Sequence, residues 1–375
     1  MTTFNEALET TTAWVRDAAV PGVSAAVWHK GRIVADFQDG EARAGVPVRP
    51  DTLFALASVS KPFTATTVMR LVERGELDLD ASIVSVVPEF GETDDPFADG
   101  AYPQLEALRD TITLRQLLSH TSGLPENAGI RRLRMRDQPS LTHMLDVMCR
   151  VPLQDEPGTV LRYSNVGPAV AARAVESVTD MPFLDVLRAE VLAPRGLVDV
   201  VPTIDAALEE RVAVVRDPSA EGTPTEGYNS RYWRQLGIPW GGYYGTASDV
   251  VRFAGSFISG YVEHLRPESA AEMTSDQVHG LAGGVDSAGV RWDPGFWGLG
   301  WEVKGSKTRH WTGTLTAPQT FCHWGQSGTL VWADPTRELA LAVLGNRTVI
   351  KRPWPLSPAR WSELSDAVVR VADAM

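Results

Sequence analysis

Strand-forming segments at both ends of the chain, separated by a long helical stretch, limit the possible folds more than any other feature of the sequence. Residues 22–29 and 32–38 are β-rich runs joined by Lys30 and Gly31, a hairpin turn signal. Near the other end, the pattern predicts strands over 298–304, 321–324, 329–333 and 338–344. The simplest architecture is therefore one α/β unit built from both termini, with an α-helical unit inserted between its halves.

Apolar residues at helical spacing indicate where the helices lie. They predict helices over 3–18, from Pro62 to Gly75, after Thr113, at about 140–150, 166–178, 182–192 and 248–259, and from Ser357 to the C-terminus. The Gly-, Pro- and Asp-rich segment 280–296 is expected to be a surface excursion. We therefore expect an α/β domain formed by residues 1–57 and 297–375, a mainly helical domain with long loops formed by 58–296, and a cleft between them.

The charge balance argues against nucleic acid and anionic membranes as partners. The 375 residues include 35 Lys and Arg against 47 Asp and Glu, a net charge of −12, without a dense basic run. Residues 1–22 predict an amphipathic helix rather than a signal peptide, and no apolar run has the length of a membrane span, so we expect a cytoplasmic protein. In that reducing compartment, Cys149 and Cys322 are expected to be free buried thiols.

A serine and a lysine three residues apart, Ser58 and Lys61, stand where a helix is predicted to begin. An i, i+3 pair lies on one face of a helix, so the two side chains can be neighbours. A desolvated lysine near the positive end of the helix dipole can lose its charge and serve as a base, which is the minimum equipment for a nucleophilic serine. The alternative is a helix cap followed by a surface lysine.

Two other stretches have side chains or backbone groups that can serve acyl transfer. Tyr163 and Asn165, in a loop before a predicted helix, can point the same way into a cleft, where a phenol can pass a proton. Gly325 follows a predicted strand and permits close approach of a ligand, so that the N–H of Gln326 can face an oxyanion. Taken alone, the first stretch also fits a turn with a half-buried tyrosine, and the second fits an edge strand with a bulge.

A loop between residues 217 and 244 becomes crowded with aromatic side chains towards its end. Such a loop either buries its rings in a core or lines a cleft, and the sequence leaves both interpretations open. The residues that can line a pocket are Tyr228, Tyr232, Trp233, Trp240, Tyr243 and Tyr244.

The order of five stretches along the chain resembles the class C β-lactamase-like serine hydrolases. These stretches are 54–65 with Ser-Val-Ser-Lys, 117–125, Tyr163-Ser164-Asn165, 241–249, and His323-Trp324-Gly325. The superfamily includes family VIII carboxylesterases, D-amino acid peptidases and amidases, DD-peptidases, β-lactamases and some acyltransferases. The resemblance implies a β-lactamase/transpeptidase-like fold, α/β plus all-α, in which N- and C-terminal helices flank an antiparallel sheet and a helical domain is inserted.

The resemblance also implies roles for the residues of the cleft. Ser58 would be the acylated nucleophile, Lys61 its activating partner, Tyr163 a proton shuttle, and Asn165 a residue that positions the substrate and the lysine. The backbone N–H groups of Ser58 and Gln326 would form the oxyanion hole. The reaction would be two-step acyl transfer through an acyl-Ser58 enzyme.

The sequence departs from the β-lactamase pattern at its third motif. Where those enzymes and the DD-peptidases usually have Lys-Thr-Gly, this chain has His323, Trp324 and Gly325. A histidine is mostly neutral at pH 7, and an indole cannot replace a hydroxyl, so binding of a substrate carboxylate is disfavoured. The motif resembles the esterase and amidase members. We therefore expect a small ester, or an amide, as substrate. The alternatives are acyl transfer to an alcohol or amine, D-amino acid amidase or peptidase activity, β-lactamase activity, and a catalytically silent binding protein.

Other candidate sites are weaker. Ser327 fails the Gly-x-Ser-x-Gly pattern at its last position, so it is not expected to be a nucleophile. The seven histidines show no metal-ligand spacing, and His120 is expected to cap a helix end. We therefore expect neither a metal nor a cofactor.

Overall fold

The structure is a computed structural model that describes residues 2–92, 103–129, 133–217, 227–349 and 358–375. The predicted helix start at Ser357 and the first part of the aromatic loop lie outside these residues. Within them the α-helices are α1 Phe4–Glu9, α2 Thr12–Arg16, α3 Ser60–Glu73, α4 Pro103–Glu106, α5 Leu114–Leu118, α6 Leu141–Cys149, α7 Val166–Thr179, α8 Phe183–Leu187, α9 Arg231–Leu236, α10 Ala247–Gly255, α11 Pro267–Thr274 and α12 Pro358–Asp373. The strands are β1 Gly22–His29, β2 Arg32–Arg43, β3 Val46–Pro47, β4 Phe54–Ala55, β5 Leu161–Arg162, β6 Val200–Val201, β7 Tyr244–Gly245, β8 Gly283–Val285, β9 Val290–Trp292, β10 Glu302–Val303, β11 Phe321–Gly325, β12 Thr329–Asp334 and β13 Leu339–Gly345.

The central sheet has seven strands in the order β10-β11-β12-β13-β1-β2-β3, and every neighbouring pair is antiparallel. Its centre joins the two ends of the chain, since Val27 of β1 lies opposite both Leu341 of β13 and Ala35 of β2. The predicted antiparallel sheet built from both termini is therefore confirmed.

Both faces of this sheet are covered, because every residue of β1 is buried and successive side chains point to opposite faces. Ala25 and Val27 pack in a cluster with residues of α1 and α12. Trp28 faces α10, where a Cβ on Gly255 would lie 2.7 Å from the Trp28 ring. Helix α10 therefore packs on the sheet, although the predicted boundaries assign it to the helical domain. The two-domain division itself stays a prediction.

Two predicted elements differ from the observed ones for identifiable reasons. The predicted helix over 3–18 is two helices, because the hydroxyls of Thr10 and Thr11 donate to the carbonyls of Ala7 and Leu8 and compete with the helical ladder. The predicted helix over 182–192 is α8 followed by a π-helical turn, Arg188–Leu192.

The segment 280–296, predicted to be a surface excursion, has several exposed residues but also contains the strands β8 and β9. Strand β8 pairs in parallel with β5 and antiparallel with β9. The glycines of β8 permit this pairing, because a Cβ on Gly283 would lie 1.7 Å from Leu161 O and one on Gly284 would lie 2.1 Å from Val290 O. They serve close backbone approach rather than loop flexibility.

Other sequence expectations hold. Thr113 begins α5 with a capping box to Gln116, and Cys149 and Cys322 are both free and buried. No helix in the described ranges has the length and apolar character needed to cross a bilayer.

Candidate active site

Ser58 lies in a tight turn between β4 and α3. The preceding residue, Ala57, has a left-handed backbone with φ +47°, which is costly for a residue other than glycine. Neighbouring segments hold this turn, because Leu56 N–H donates to Tyr243 O at 2.8 Å and Thr329 Oγ1 donates to Leu56 O at 3.0 Å. The strained turn therefore places Ser58 in a 3-10 turn that leads directly into α3.

Lys61 lies one helical turn after Ser58, and its amine is enclosed. Its Nζ is 3.1 Å from Ser58 Oγ, 2.7 Å from Asn165 Oδ1 and 2.8 Å from Trp240 O, and the residue is 1% exposed. Burial lowers the pKa of Lys61 well below its ordinary value, while the nearby charge of Glu126 acts in the opposite direction. A neutral amine has two N–H donors and one lone pair, which suits two neutral acceptors and one serine hydroxyl.

Tyr163 is fixed beside this pair by the parallel pairing of β5 and β8, since its N–H donates to Gly284 O at 3.0 Å. Its side chain is hydrogen-bonded to that of Ser58, and its ring centroid lies 4.7 Å from Lys61 Nζ. Burial raises the pKa of Tyr163 far above its ordinary value, and the hydrogen bond to Ser58 opposes that shift only in part. The phenol is therefore protonated at neutral pH.

Asn165 stands immediately before α7 and faces Lys61 with its side-chain oxygen. Its backbone N–H donates to Glu126 O at 2.8 Å, and its Nδ2 donates to Asn127 Oδ1 at 2.8 Å. These bonds orient the amide so that Oδ1 accepts from Lys61. The structure thus brings Ser58, Lys61, Tyr163 and Asn165 together, as the sequence predicts.

His120 is a site residue that sequence reasoning missed, because it was expected only to cap a helix end. Its ring centroid lies 4.6 Å from that of Tyr163 and 4.9 Å from that of Trp297. Its carbonyl accepts from Arg162 N–H at 2.8 Å, and its Nδ1 accepts from Ser164 N–H at 3.1 Å. His120 therefore holds the backbone on both sides of Tyr163. No local sequence signal indicates this, because the partners are more than forty residues away.

Gly325 ends β11 against the turn that carries Ser58. A Cβ at this position would lie 2.3 Å from Leu56 O, 2.3 Å from Thr329 Oγ1 and 3.1 Å from Ala57 Cβ. Only glycine permits this approach, which brings the backbone at Gln326 towards the turn. The close packing of these two backbones is what an oxyanion hole formed by Ser58 and Gln326 requires.

Ser327, the other serine considered as a nucleophile, stabilises the fold. It is fully buried, and its Oγ donates to Ala55 O. This bond fastens the β11–β12 hairpin to β4, next to the Ser58 turn.

His323 and Trp324 have different environments. His323 lies 6.2 Å from Tyr163 between ring centroids, and its Nδ1 donates to Trp324 O at 2.9 Å. Burial, with a contribution from the charge of Lys61, lowers the pKa of His323 to about 3, so the ring is neutral at pH 7. The Trp324 ring is half-buried and packs 5.4 Å from Trp311 and 6.4 Å from Trp361. Its participation in substrate positioning stays a prediction.

Two of the six aromatic residues considered as possible pocket lining lie in the core. Tyr243 is fully buried with its hydroxyl 3.0 Å from Thr64 Oγ1, and Tyr244 is 1% exposed and donates to Tyr228 O at 3.0 Å. Both belong to the core, because they follow a loop that turns inward to pair β7 with β4.

Trp233 and Trp240 do line a groove. Beside it, the Tyr228 ring lies edge-on 5.4 Å from that of Trp233, and the Tyr232 hydroxyl donates to Pro139 O at 2.7 Å. Neither of these tyrosines is a lining residue of the groove.

One group of potential metal ligands occurs among the described residues, with atoms of Glu302, His310 and Cys322 within 4.8 Å of one another. Lys307 Nζ donates to Glu302 Oε1 at 2.7 Å, His310 Nε2 donates to the same oxygen at 2.9 Å, and Trp311 Nε1 donates to Oε2 at 3.0 Å. Burial would raise the pKa of Glu302, but the charge of Lys307 and the bond from His310 lower it to about 2. A buried ion pair explains this group.

The chain is similar in sequence to a family model and to known proteins. A family model described as beta-lactamase matches residues 4–358. Esterase EstB of Burkholderia gladioli is 33% identical over an alignment of 314 positions that covers 75% of this chain and 76% of EstB. Penicillin-binding protein 4 of Amycolatopsis lactamdurans is 35% identical over 240 residues, 63% of this chain, and the match spans only 58% of that relative.

Solved structures share the fold over almost the whole chain. A family VIII carboxylesterase is similar at a TM-score of 0.78 and 23% identity, with 98% of this chain and 97% of that one covered. EstCE1, a hydrolase with promiscuous acyltransferase activity, is similar at a TM-score of 0.76 and 22% identity, with 96% and 97% covered. The predicted β-lactamase/transpeptidase-like fold is therefore confirmed.

Proposed function

This chain belongs to the β-lactamase family of serine hydrolases, and from that membership we propose that it cleaves a small carboxylic ester through an acyl-Ser58 intermediate. The observation that carries the proposal is the environment of Lys61. Its buried Nζ lies 3.1 Å from Ser58 Oγ, and its other two contacts are neutral oxygens of Asn165 and Trp240. Among the residues that the structure describes, no carboxylate is hydrogen-bonded to this amine to hold its proton, so it can act as a base.

In the acylation step, Lys61 takes the proton of Ser58 while Oγ attacks the ester carbonyl carbon. The carbonyl oxygen becomes an oxyanion that the N–H groups of Ser58 and Gln326 stabilise. Collapse of this intermediate breaks the bond to the leaving oxygen, which receives the proton of the Tyr163 hydroxyl. Lys61, whose Nζ lies 4.7 Å from the Tyr163 ring centroid, returns a proton to Tyr163.

In the deacylation step, water attacks the acyl-Ser58 carbonyl and transfers a proton to the same pair of groups. The tetrahedral intermediate then releases the carboxylic acid, and Ser58 Oγ regains a proton from Lys61 or Tyr163. Acylation and deacylation therefore use one oxyanion site and one proton path.

A neutral histidine at the third motif favours an ester over a substrate with a carboxylate at that position. His323 is uncharged at pH 7 because burial lowers its pKa to about 3. Its Nδ1–H already donates a hydrogen bond to Trp324 O. A lysine in its place would supply a permanent positive charge. We therefore assign amides and β-lactams a lower kcat/KM than esters.

A substrate panel tests the proposed function. We expect kcat/KM for p-nitrophenyl butyrate to exceed that for a chromogenic cephalosporin and for D-alanine p-nitroanilide by at least about 100-fold, because the neutral His323 offers no positive charge to a substrate carboxylate and an amide is a poorer acyl donor than an activated ester. A fluorophosphonate should form one adduct, located at Ser58 by peptide mapping. Efficient cephalosporin hydrolysis would contradict ester specificity. If added butanol diverts most of the acyl group to a butyl ester, acyl transfer is the main reaction.

Replacing Gly325 by alanine tests the oxyanion site. We expect Gly325→Ala to lower kcat/KM for p-nitrophenyl butyrate about 100-fold, because the new Cβ would lie 2.3 Å from Leu56 O and must move the strand end that carries Gln326 N–H. The matched control is Gly241→Ala, whose Cβ would meet Ala57 at ordinary distances between 3.6 and 3.9 Å. Steady-state kinetics on both variants, with thermal melting to check folding, decides the point. Equal activity of the two would contradict the role given to Gln326.

A further inference from the structure

An apolar groove lies beside the candidate active site, between α6 and the segment that leads into β7. Its volume is about 640 Å³. Met144, Met148, Ile238 and Trp240 line it and are buried, and Leu133 and Trp233 line it and are half-buried. Methionine and tryptophan side chains offer large apolar contact area, and methionine adapts to ligands of different shape. We name this feature the Met-Trp groove.

Two residues that line the Met-Trp groove are linked to Lys61 by hydrogen bonds. Asn127, another lining residue, accepts a hydrogen bond from Asn165 Nδ2 at 2.8 Å, and Asn165 Oδ1 accepts from Lys61 at 2.7 Å. Trp240 both lines the groove and accepts from Lys61 Nζ through its carbonyl oxygen at 2.8 Å. Two lining residues are therefore hydrogen-bonded to Lys61, Trp240 directly and Asn127 through Asn165.

The position of Tyr163 decides which part of an ester the groove can take. In the proposed mechanism the leaving oxygen must lie at the Tyr163 hydroxyl. The rings around Tyr163 belong to His120, Trp297 and His323, and none of these lines the groove. The groove instead shares Asn127 and Trp240 with the Lys61 side of the site, so it faces the acyl part.

We propose that the Met-Trp groove binds the hydrocarbon chain of the acyl group, and that the substrates are esters of apolar carboxylic acids of medium chain length. This inference rests on the proposed function, because it assigns the acyl part of the same ester. Its physical basis is the removal of methylene groups from water, which contributes about fourfold in binding for each methylene that is fully buried. Two exposed arginines, Arg134 and Arg136, also line the groove and provide a polar boundary.

A chain-length series tests the inference. With p-nitrophenyl acetate, hexanoate and decanoate, we expect wild-type kcat/KM to rise at least about tenfold from acetate to hexanoate. Trp233→Ala, which removes one wall, should abolish most of that ratio, chiefly by lowering kcat/KM for the hexanoate ester. Met148→Trp, which fills the groove, should also abolish it. Tyr232→Ala is the matched control, because Tyr232 is the neighbouring ring on α9 and does not line the groove. It should keep the wild-type ratio.

Three outcomes would overturn the inference. One is a flat wild-type chain-length profile, and another is an equal loss on acetate and hexanoate in Trp233→Ala. The third is a chain-length preference that follows the alcohol in acetyl esters and is lost in Trp233→Ala, which would assign the groove to the leaving group. Failure of the proposed function is distinguishable, since it would appear as no Ser58-dependent hydrolysis of p-nitrophenyl acetate.

A binding measurement keeps the inference testable without turnover. Calorimetry on Ser58→Ala protein should show decanoate binding at least about tenfold more tightly than butyrate, and Trp233→Ala introduced into the same protein should remove that difference. Equal affinity for the two acids would overturn the groove assignment whatever the reaction proves to be.

Discussion

Replacing Ser58 by alanine is expected to lower kcat/KM for p-nitrophenyl butyrate by at least about 10,000-fold, because no acyl-enzyme can form and the remaining groups offer only oxyanion stabilisation. Steady-state kinetics, with intact-protein mass spectrometry after fluorophosphonate treatment, measures the effect. The variant should fold normally, since Ser58 Oγ has only Lys61 and Tyr163 as the partners described.

Ser60→Ala is the matched control for this substitution. Ser60 lies two residues away on the same turn and is fully buried, and its Oγ accepts a hydrogen bond from Tyr243 N–H at 3.1 Å. Its loss should lower stability by about 1–3 kcal/mol through an unsatisfied N–H, with kcat/KM within about tenfold of wild type. A Ser58→Ala protein with near-normal activity, or labelling at Ser327, would contradict the assignment.

Replacing Lys61 by methionine is expected to lower kcat/KM about 1,000-fold or more, because acylation loses its base while the volume of the side chain is roughly kept. Lys304→Met is the matched control. Lys304 is also a buried lysine, but its Nζ donates to Thr316, outside the site. Loss of activity in both variants would show that removal of any buried lysine disables the enzyme, and the role of Lys61 would then lack support.

The pH dependence of the wild-type enzyme should report the same lysine. The base form of Lys61 is neutral and is present above its folded pKa, which burial lowers, so kcat/KM should rise with pH in a limb well below the ordinary lysine value of 10.5. Glu126 raises the pKa of Lys61, so Glu126→Gln should move this limb to lower pH. Ser287→Ala removes a hydrogen bond to Glu126 without changing its charge and should leave the limb in place. A limb unmoved by Glu126→Gln would contradict the electrostatic link.

The parts of the site that local spacing defines could be predicted from the sequence. Ser58 and Lys61 meet because i, i+3 residues share a helical face, and the strands at the two termini show the period and turn residues of an antiparallel sheet. The family resemblance then placed Tyr163 and Asn165 beside them. In the structure, Lys61 Nζ is hydrogen-bonded to Ser58 Oγ and to Asn165 Oδ1.

The parts that depend on long-range backbone contact could not be predicted. Trp240 holds Lys61 through a carbonyl oxygen, a group that every residue has, so the sequence contains no signal for it. Gly283 and Gly284 looked like loop residues, but they permit two strands to approach. Some aromatic residues of the loop lie in the core and others line the groove, because the pairing of β7 with β4 sets the direction of the loop. Strands of two residues are too short to be recognised from the sequence pattern.

The pairing of the first strand with the last has a consequence for biosynthesis. Strand β1 is buried at every position and lies between β2 and β13, so one of its two hydrogen-bonding edges stays open until residues 339–345 have left the ribosome. An apolar strand with an open edge is a template for pairing with other chains. The open edge of β1 is therefore available for pairing with other chains until β13 has been synthesised, and pairing of β13, rather than formation of α3, closes this edge of the sheet.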